Sequence, residues 1–220
     1  YPRERTDVMV NRFDNALGYA DRWIGEIRSF LEQRGDWDRT IVIVVSDHGE
    51  AFYEHEEPTH GSALYEEQVR SFLTVRIPGM EPRTVDQPVS LLDIAPTLLD
   101  YLDIPQPEWM EGSSLLDEIP SRYVVTTHIA GSDKVKMTSG LLEGQIAAPF
   151  YQLGRVILFA CDRWYSLNLR TSRFNKGKVE GSTASCDEAN LPSDDHAMSR
   201  ILEQLEMNGY DISGLRDQAK

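Results

Sequence analysis

Thr40-Ile-Val-Ile-Val-Val-Ser46-Asp47-His48-Gly49-Glu50 is the stretch on which the fold turns. Its five apolar residues, mostly β-branched, read as a strand buried on both faces, the pattern of a sheet covered by helices. An aspartate and a histidine stand side by side at the carboxyl end, and a glycine follows. In an open α/β sheet, ligands bind outside the carboxyl ends of the strands. An anionic oxygen and a neutral imidazole nitrogen placed there can reach one divalent cation. Twelve residues after His48 stands another histidine, in Pro58-Thr59-His60-Gly61-Ser62. Together these residues form a candidate metal site for handling an oxyanion.

Outward from this strand the chain alternates helix and strand. Upstream, Phe13, Leu17, Ala20, Ile24, Ile27 and Leu31 recur at steps of four and three, which predicts one long amphipathic helix over residues 7–34, stopped by Gly35. A helix leading into a buried strand is an α/β unit. Downstream, residues 49–62 are polar and irregular and read as an active-site loop. A short helix over 64–69 follows, then a strand over 71–77 ended by Pro78-Gly79. Ser90 is placed to cap a helix running to Leu102, with Pro96 near enough to its start to be tolerated.

The character changes near residue 120, which divides the chain into an α/β part, 1–120, and a small antiparallel-sheet part with a terminal helix, 121–220. Tyr123–Ile129, Arg155–Ala160 and Trp164–Leu169 read as strands, the last two joined by a turn at Cys161-Asp162-Arg163. Residues 175–195 read as an exposed loop. Met198, Ile201, Leu202 and Leu205 mark one face of a helix over 194–207.

The 220 residues carry a net charge of −14, which argues against nucleic acid as a partner, because that needs a basic surface. No apolar run approaches the roughly 20 residues needed to span a bilayer. The chain opens at Tyr1 with a helical pattern close behind, and reads as a fragment or a processed product. Its two cysteines, Cys161 and Cys186, allow one disulfide in an oxidising compartment or two free thiols.

Metal-assisted attack on a sulfate or phosphate ester needs a cation, a nucleophile, donors for the equatorial oxygens and an acid for the leaving group. Asp47 and His48 supply part of the first need, and His60 can supply a donor or the acid. Here the residues carry a resemblance. Ser46-Asp47-His48-Gly49-Glu50, then His60-Gly61-Ser62-Ala63-Leu64-Tyr65-Glu66-Glu67-Gln68-Val69-Arg70, then the helix Val89–Leu99, resemble the C-terminal half of the sulfatase family, within the alkaline phosphatase superfamily. The resemblance covers residues 7–116 well and the remainder weakly.

It implies an alkaline-phosphatase-like α/β fold, a mixed sheet with flanking helices, to which the small C-terminal antiparallel sheet and helix are appended. It also implies roles by position. Asp47 and His48 match the second pair of metal ligands, with calcium usual in sulfatases and zinc or manganese in the phosphotransfer relatives. His60 matches the catalytic position that contacts the ester's oxyanion or bridging oxygen. Glu50, His55, Tyr65 and Arg70 lie in or near matching segments and are assigned no chemistry. His55 reads as a solvated loop residue, His128 as structural and His196 as an exposed helix residue.

The chain departs from the family in one respect. No Cys-x-Pro-x-Arg or Ser-x-Pro-x-Arg segment occurs in it. The nucleophile and the first metal-binding carboxylates of the family lie in its N-terminal half. The expectation is therefore a C-terminal part of a sulfuric ester hydrolase, inactive alone, whose partners are a sulfate- or phosphate-ester substrate and the N-terminal half of the same protein. A second copy could cover exposed sheet edges. The parent would be periplasmic or otherwise extracytoplasmic, with a membrane anchor allowed. Two alternatives stay open: a phosphoethanolamine or phosphoglycerol transferase or phosphonate or phosphodiester hydrolase of the same superfamily, and a non-catalytic, sulfatase-like binding domain of a membrane protein.

Overall fold

Helix α1 spans Thr6–Arg34 in the computed structural model, which describes residues 2–61, 63–117, 119, 122–129, 137–138, 141–142, 153–169, 171–180, 182, 187–212 and 215. Gly35 ends the helix at φ +71°. Its N–H bonds the Glu32 carbonyl at 3.0 Å and that of Asp36 the Leu31 carbonyl at 2.9 Å, the Schellman closure that a left-handed glycine permits. The predicted apolar stripe is present, yet no residue of α1 is buried, and Leu17 and Ile27 stand exposed.

The chain divides into two compact units, Tyr1–Arg83 and Thr84–Lys220. The change of character near residue 120 falls inside the second. In the first, strand β1 is Val42–Val45 and helix α2 is Glu66–Val69, followed by strand β2, Leu73–Arg76. β1 and β2 pair antiparallel, Val42 opposite Arg76 and Val45 opposite Leu73. β1 is not buried on both faces: Val42, Ile43 and Val44 are half-buried and Val45 is 43% exposed. A short apolar run identifies a strand, but neither its direction nor its cover. The entry to the pair is fixed by Arg76. Its guanidinium lies 4.2 Å from the Trp37 ring centroid and donates to the carbonyls of Trp37 and Thr40 at 2.8 and 3.0 Å.

In the second unit Ser90 caps a 3₁₀ turn, Leu91–Asp93, that continues into helix α3, Ile94–Tyr101. Strands β3, Tyr123–Ile129; β6, Leu153–Ala160; β7, Arg163–Asn168; and β8, Arg173–Lys178, form an antiparallel sheet in the order β3-β6-β7-β8. Between β3 and β6, the two-residue strands β4, Met137–Thr138, and β5, Leu141–Leu142, pair with each other. β8 and a 3₁₀ turn at Glu188–Asn190 correct the reading of 175–195 as loop throughout. Helix α4, Asp194–Met207, is capped by Ser193, whose hydroxyl accepts from the His196 N–H at 3.2 Å. Val156, Leu158, Ala160, Tyr165 and Leu167 of the sheet pack with Ala197, Ile201, Leu202 and Leu205 of α4 into the core. Cys161, in the β6–β7 turn, is disulfide-bonded; Cys186, the other cysteine of the chain, lies outside the described residues.

Candidate active site

The site is built where β1 runs out. Ser46 extends the β1–β2 ladder: its N–H donates to the Phe72 carbonyl at 3.0 Å and its hydroxyl accepts from the Phe72 N–H at 2.8 Å. Three residues later the Gly49 N–H donates to the Gln68 carbonyl at 2.9 Å, which lays the backbone against α2. Only glycine fits there. A Cβ on residue 49 would stand 2.2 Å from the Glu67 carbonyl oxygen and 2.9 Å from that of Arg70. Gln68 is 3% exposed and its side-chain oxygen accepts from the Ala63 N–H at 3.1 Å, so α2 also holds the approach to the His60 segment.

Asp47 and His48 are thus held between a strand end and a tight glycine contact. His48 Nδ1 lies 2.7 Å from the Gly49 carbonyl, which can only accept, so Nδ1 carries the hydrogen and Nε2 of the neutral ring holds a lone pair. That Nε2 lies 3.5 Å from Asp47 Oδ2. Two electron-rich atoms facing each other at this distance suit a shared cation. A metal-ligating histidine commonly donates its other N–H to a backbone carbonyl, as here. No group of three or more His, Cys, Asp or Glu able to hold a metal ion occurs among the described residues. Asp47 and His48 stand there as two adjacent potential ligands.

His60 comes to the same place: its ring centroid lies 4.1 Å from that of His48. All three residues singled out from the sequence are therefore neighbours. Sequence reasoning did not find their support. His60 Nδ1 lies 2.9 Å from Glu50 Oε2, and His55 Nδ1 lies 2.8 Å from Glu67 Oε1. His55 is not a free loop residue, because its ring also stacks on Tyr65 with centroids 4.0 Å apart. These pairings span ten and twelve residues across a loop with left-handed turns at Tyr53 and Glu56, and no short-range pattern announces them. Phe52 meets Phe13 of α1 edge-on at 5.3 Å, and Glu56 pairs with Arg3, so the loop is tied to the long helix as well.

A family model described as Sulfatase matches residues 1–104. Over these residues the chain is similar to the sulfatase family. An uncharacterized sulfatase of Escherichia coli, YidJ, is 39% identical over 100 residues, covering 44% of this chain and 20% of YidJ. Arylsulfatase K of Bos taurus is 41% identical over 98 residues, 44% of this chain and 18% of that enzyme. The human Arylsulfatase K is 40% identical over a segment of the same length. The chain thus spans about a fifth of the length of these relatives.

Among solved structures, a phosphonate monoester hydrolase from Silicibacter pomeroyi superposes with a TM-score of 0.61 at 23% identity, covering 88% of this chain and 40% of that one. A protein solved in complex with its substrate D-glucosamine-2-N,6-O-disulfate gives a TM-score of 0.56 at 18% identity, covering 86% of this chain and 38% of that one. These likenesses show the fold: alkaline-phosphatase-like, mixed α/β, here with antiparallel sheets. Asp47, His48, Glu50 and His60 all lie inside the sulfatase segment.

Proposed function

We propose that this chain supplies metal- and oxyanion-binding residues to a divalent-metal-dependent sulfuric ester hydrolase. The observation that carries the reading is the convergence of three groups: Asp47 Oδ2 and His48 Nε2 facing each other at 3.5 Å, with the His60 ring against His48 at 4.1 Å. Asp47 and His48 would hold the cation, with calcium favoured and zinc or manganese the choice if the group transferred were phosphoryl. When bound, such a cation polarises an ester oxygen. His60, with its ring against that of His48, would steady the transferred group or assist the leaving group. The glycine contact at residue 49 keeps the two ligands on a fixed backbone.

The nucleophile and remaining carboxylates belong, in this reading, to sequence that the relatives possess beyond the length matched here. The 220 residues alone would not turn over an ester. An extracytoplasmic setting is supported by the disulfide at Cys161, since such bonds persist in oxidising compartments. Among the described residues no helix is long and apolar enough to cross a membrane.

The test is hydrolysis of 4-nitrophenyl sulfate by the full-length protein and its His60→Ala variant. The reading predicts turnover that falls by about 10²- to 10⁴-fold in the variant, the range of a lost acid–base or donor group. Unchanged turnover in His60→Ala would contradict it. Faster turnover of a phenyl phosphonate monoester than of the sulfate would move the assignment to phospho-group chemistry.

A further inference from the structure

The Glu50–His60 contact says more than that His60 is held. Glu50 follows the glycine that is locked on α2, so its backbone has little freedom. Its side chain is 23% exposed. Oε2 meets His60 Nδ1 at 2.9 Å, whereas Oε1 is buried with no hydrogen-bond partner among the described residues. A carboxylate kept for structure alone would have donors on both oxygens, because a buried acceptor left unpaired is costly. Among the described residues the Glu50 side chain makes one hydrogen bond, to the imidazole.

A carboxylate oxygen accepts, so the His60 hydrogen on that side must sit on Nδ1. A neutral imidazole left to itself favours the hydrogen on Nε2, and the bond made by one nitrogen decides the state of the other. The His48 ring covers part of the imidazole from another direction, with planes 35° apart. The His60 side chain is 48% exposed, and Nε2 makes no hydrogen bond among the described residues. One nitrogen is therefore committed inward and the other presented.

We propose that Glu50 is the positioning residue of His60: it fixes the ring's rotation and its Nδ1–H tautomer, and so makes Nε2 the atom that meets the ester. This rests on the proposed role of His60, which the sulfatase resemblance supplies; the carboxylate partner is read from the geometry. Catalytic histidines are served in this way when a carboxylate holds the correct tautomer and orientation. Without Glu50 the ring can turn, and either nitrogen can face outward.

The experiment uses full-length protein labelled with ¹⁵N-histidine, at a pH of about 9, well above the ordinary imidazole range. Long-range ¹H–¹⁵N correlation reports which nitrogen of His60 carries the hydrogen. The expected result is the Nδ1–H form in the wild type and a shift toward Nε2–H in Glu50→Ala. In parallel, kcat for 4-nitrophenyl sulfate falls about 10- to 100-fold in Glu50→Ala with little change in KM, the scale of a lost outer partner. A wild-type His60 in the Nε2–H form overturns the proposal, and needs no folded variant to do so. An unchanged tautomer in a folded Glu50→Ala overturns it equally. Failure of the underlying reading looks different: His60→Ala would retain turnover whatever the tautomer.

Discussion

Replacing Gly49 by alanine tests how the site is held. The added Cβ would meet two carbonyl oxygens of the α2 segment, Glu67 at 2.2 Å and Arg70 at 2.9 Å. Both are backbone atoms and cannot rotate away. The clash is relieved only by lifting residue 49 off α2, which breaks the 2.9 Å bond from its N–H to the Gln68 carbonyl. Overpacking costs about 1–3 kcal/mol and the lost hydrogen bond about 0.5–1.5 kcal/mol, together roughly 2–4 kcal/mol. That is about a 30- to 700-fold shift in the equilibrium between docked and lifted loop. Amide hydrogen exchange reads it directly: exchange at residue 49 should accelerate by this factor, and urea denaturation should begin earlier. Gly25→Ala is the control. No atom lies within 4 Å of a Cβ there, in the interior of α1, so the same substitution should stabilise by about 0.4–1 kcal/mol. A Gly49→Ala protein with wild-type exchange at residue 49 would refute the reasoning.

Two further perturbations probe the second unit. Asp93 is fully buried, accepts from the Ser90 and Ser113 N–H groups at 2.7 and 2.9 Å, and is paired with Arg122. Arg122→Ala leaves that carboxylate without its counter-ion and should cost about 3–5 kcal/mol in denaturant unfolding; a loss below 1 kcal/mol would show the pair to be dispensable. Burial, then the nearby Asp194 charge, raises the pKa of the Tyr165 phenol above its ordinary value of 10.0. The neutral phenol is thus favoured in the folded state. Its contribution is complete below the unfolded pKa of about 10 and is lost as pH rises through the higher folded value. Tyr165→Phe should therefore flatten the alkaline limb of the stability profile measured by circular dichroism, while losing the 3.0 Å bond from the hydroxyl to the Pro192 carbonyl. An alkaline limb identical to the wild type's would contradict this.

How legible the chain was varies with the physics of each element. α4 emerged from the sequence with its bounds, because Ile201, Leu202 and Leu205 repeat at helical spacing and are the residues that the sheet buries. β3, β6 and β7 were legible as β-branched and aromatic runs. β8 was not: Arg-Phe-Asn-Lys-Gly-Lys has one large apolar side chain, as an edge strand defended by charge does. Its Gly177 lies where the Trp164 ring leaves no room for a Cβ, a contact made across the sheet and silent in the sequence. The site was half legible. Asp47, His48 and His60 stood out by residue type and order. Glu50 and Glu67 did not, because a glutamate in a charged loop reads as solvated until the turn brings it to an imidazole.

If Asp47 and His48 hold a divalent cation, as proposed, the metal content of the protein depends on these two residues. Metal analysis by inductively coupled plasma mass spectrometry, on the full-length protein and on an Asp47→Asn/His48→Ala double variant of matched fold, tests it most directly. The account predicts divalent metal in the wild type and a large loss of it from the double variant, because removing one anionic and one imidazole ligand strips much of what offsets the cation's dehydration. Equal metal content in both proteins would contradict it.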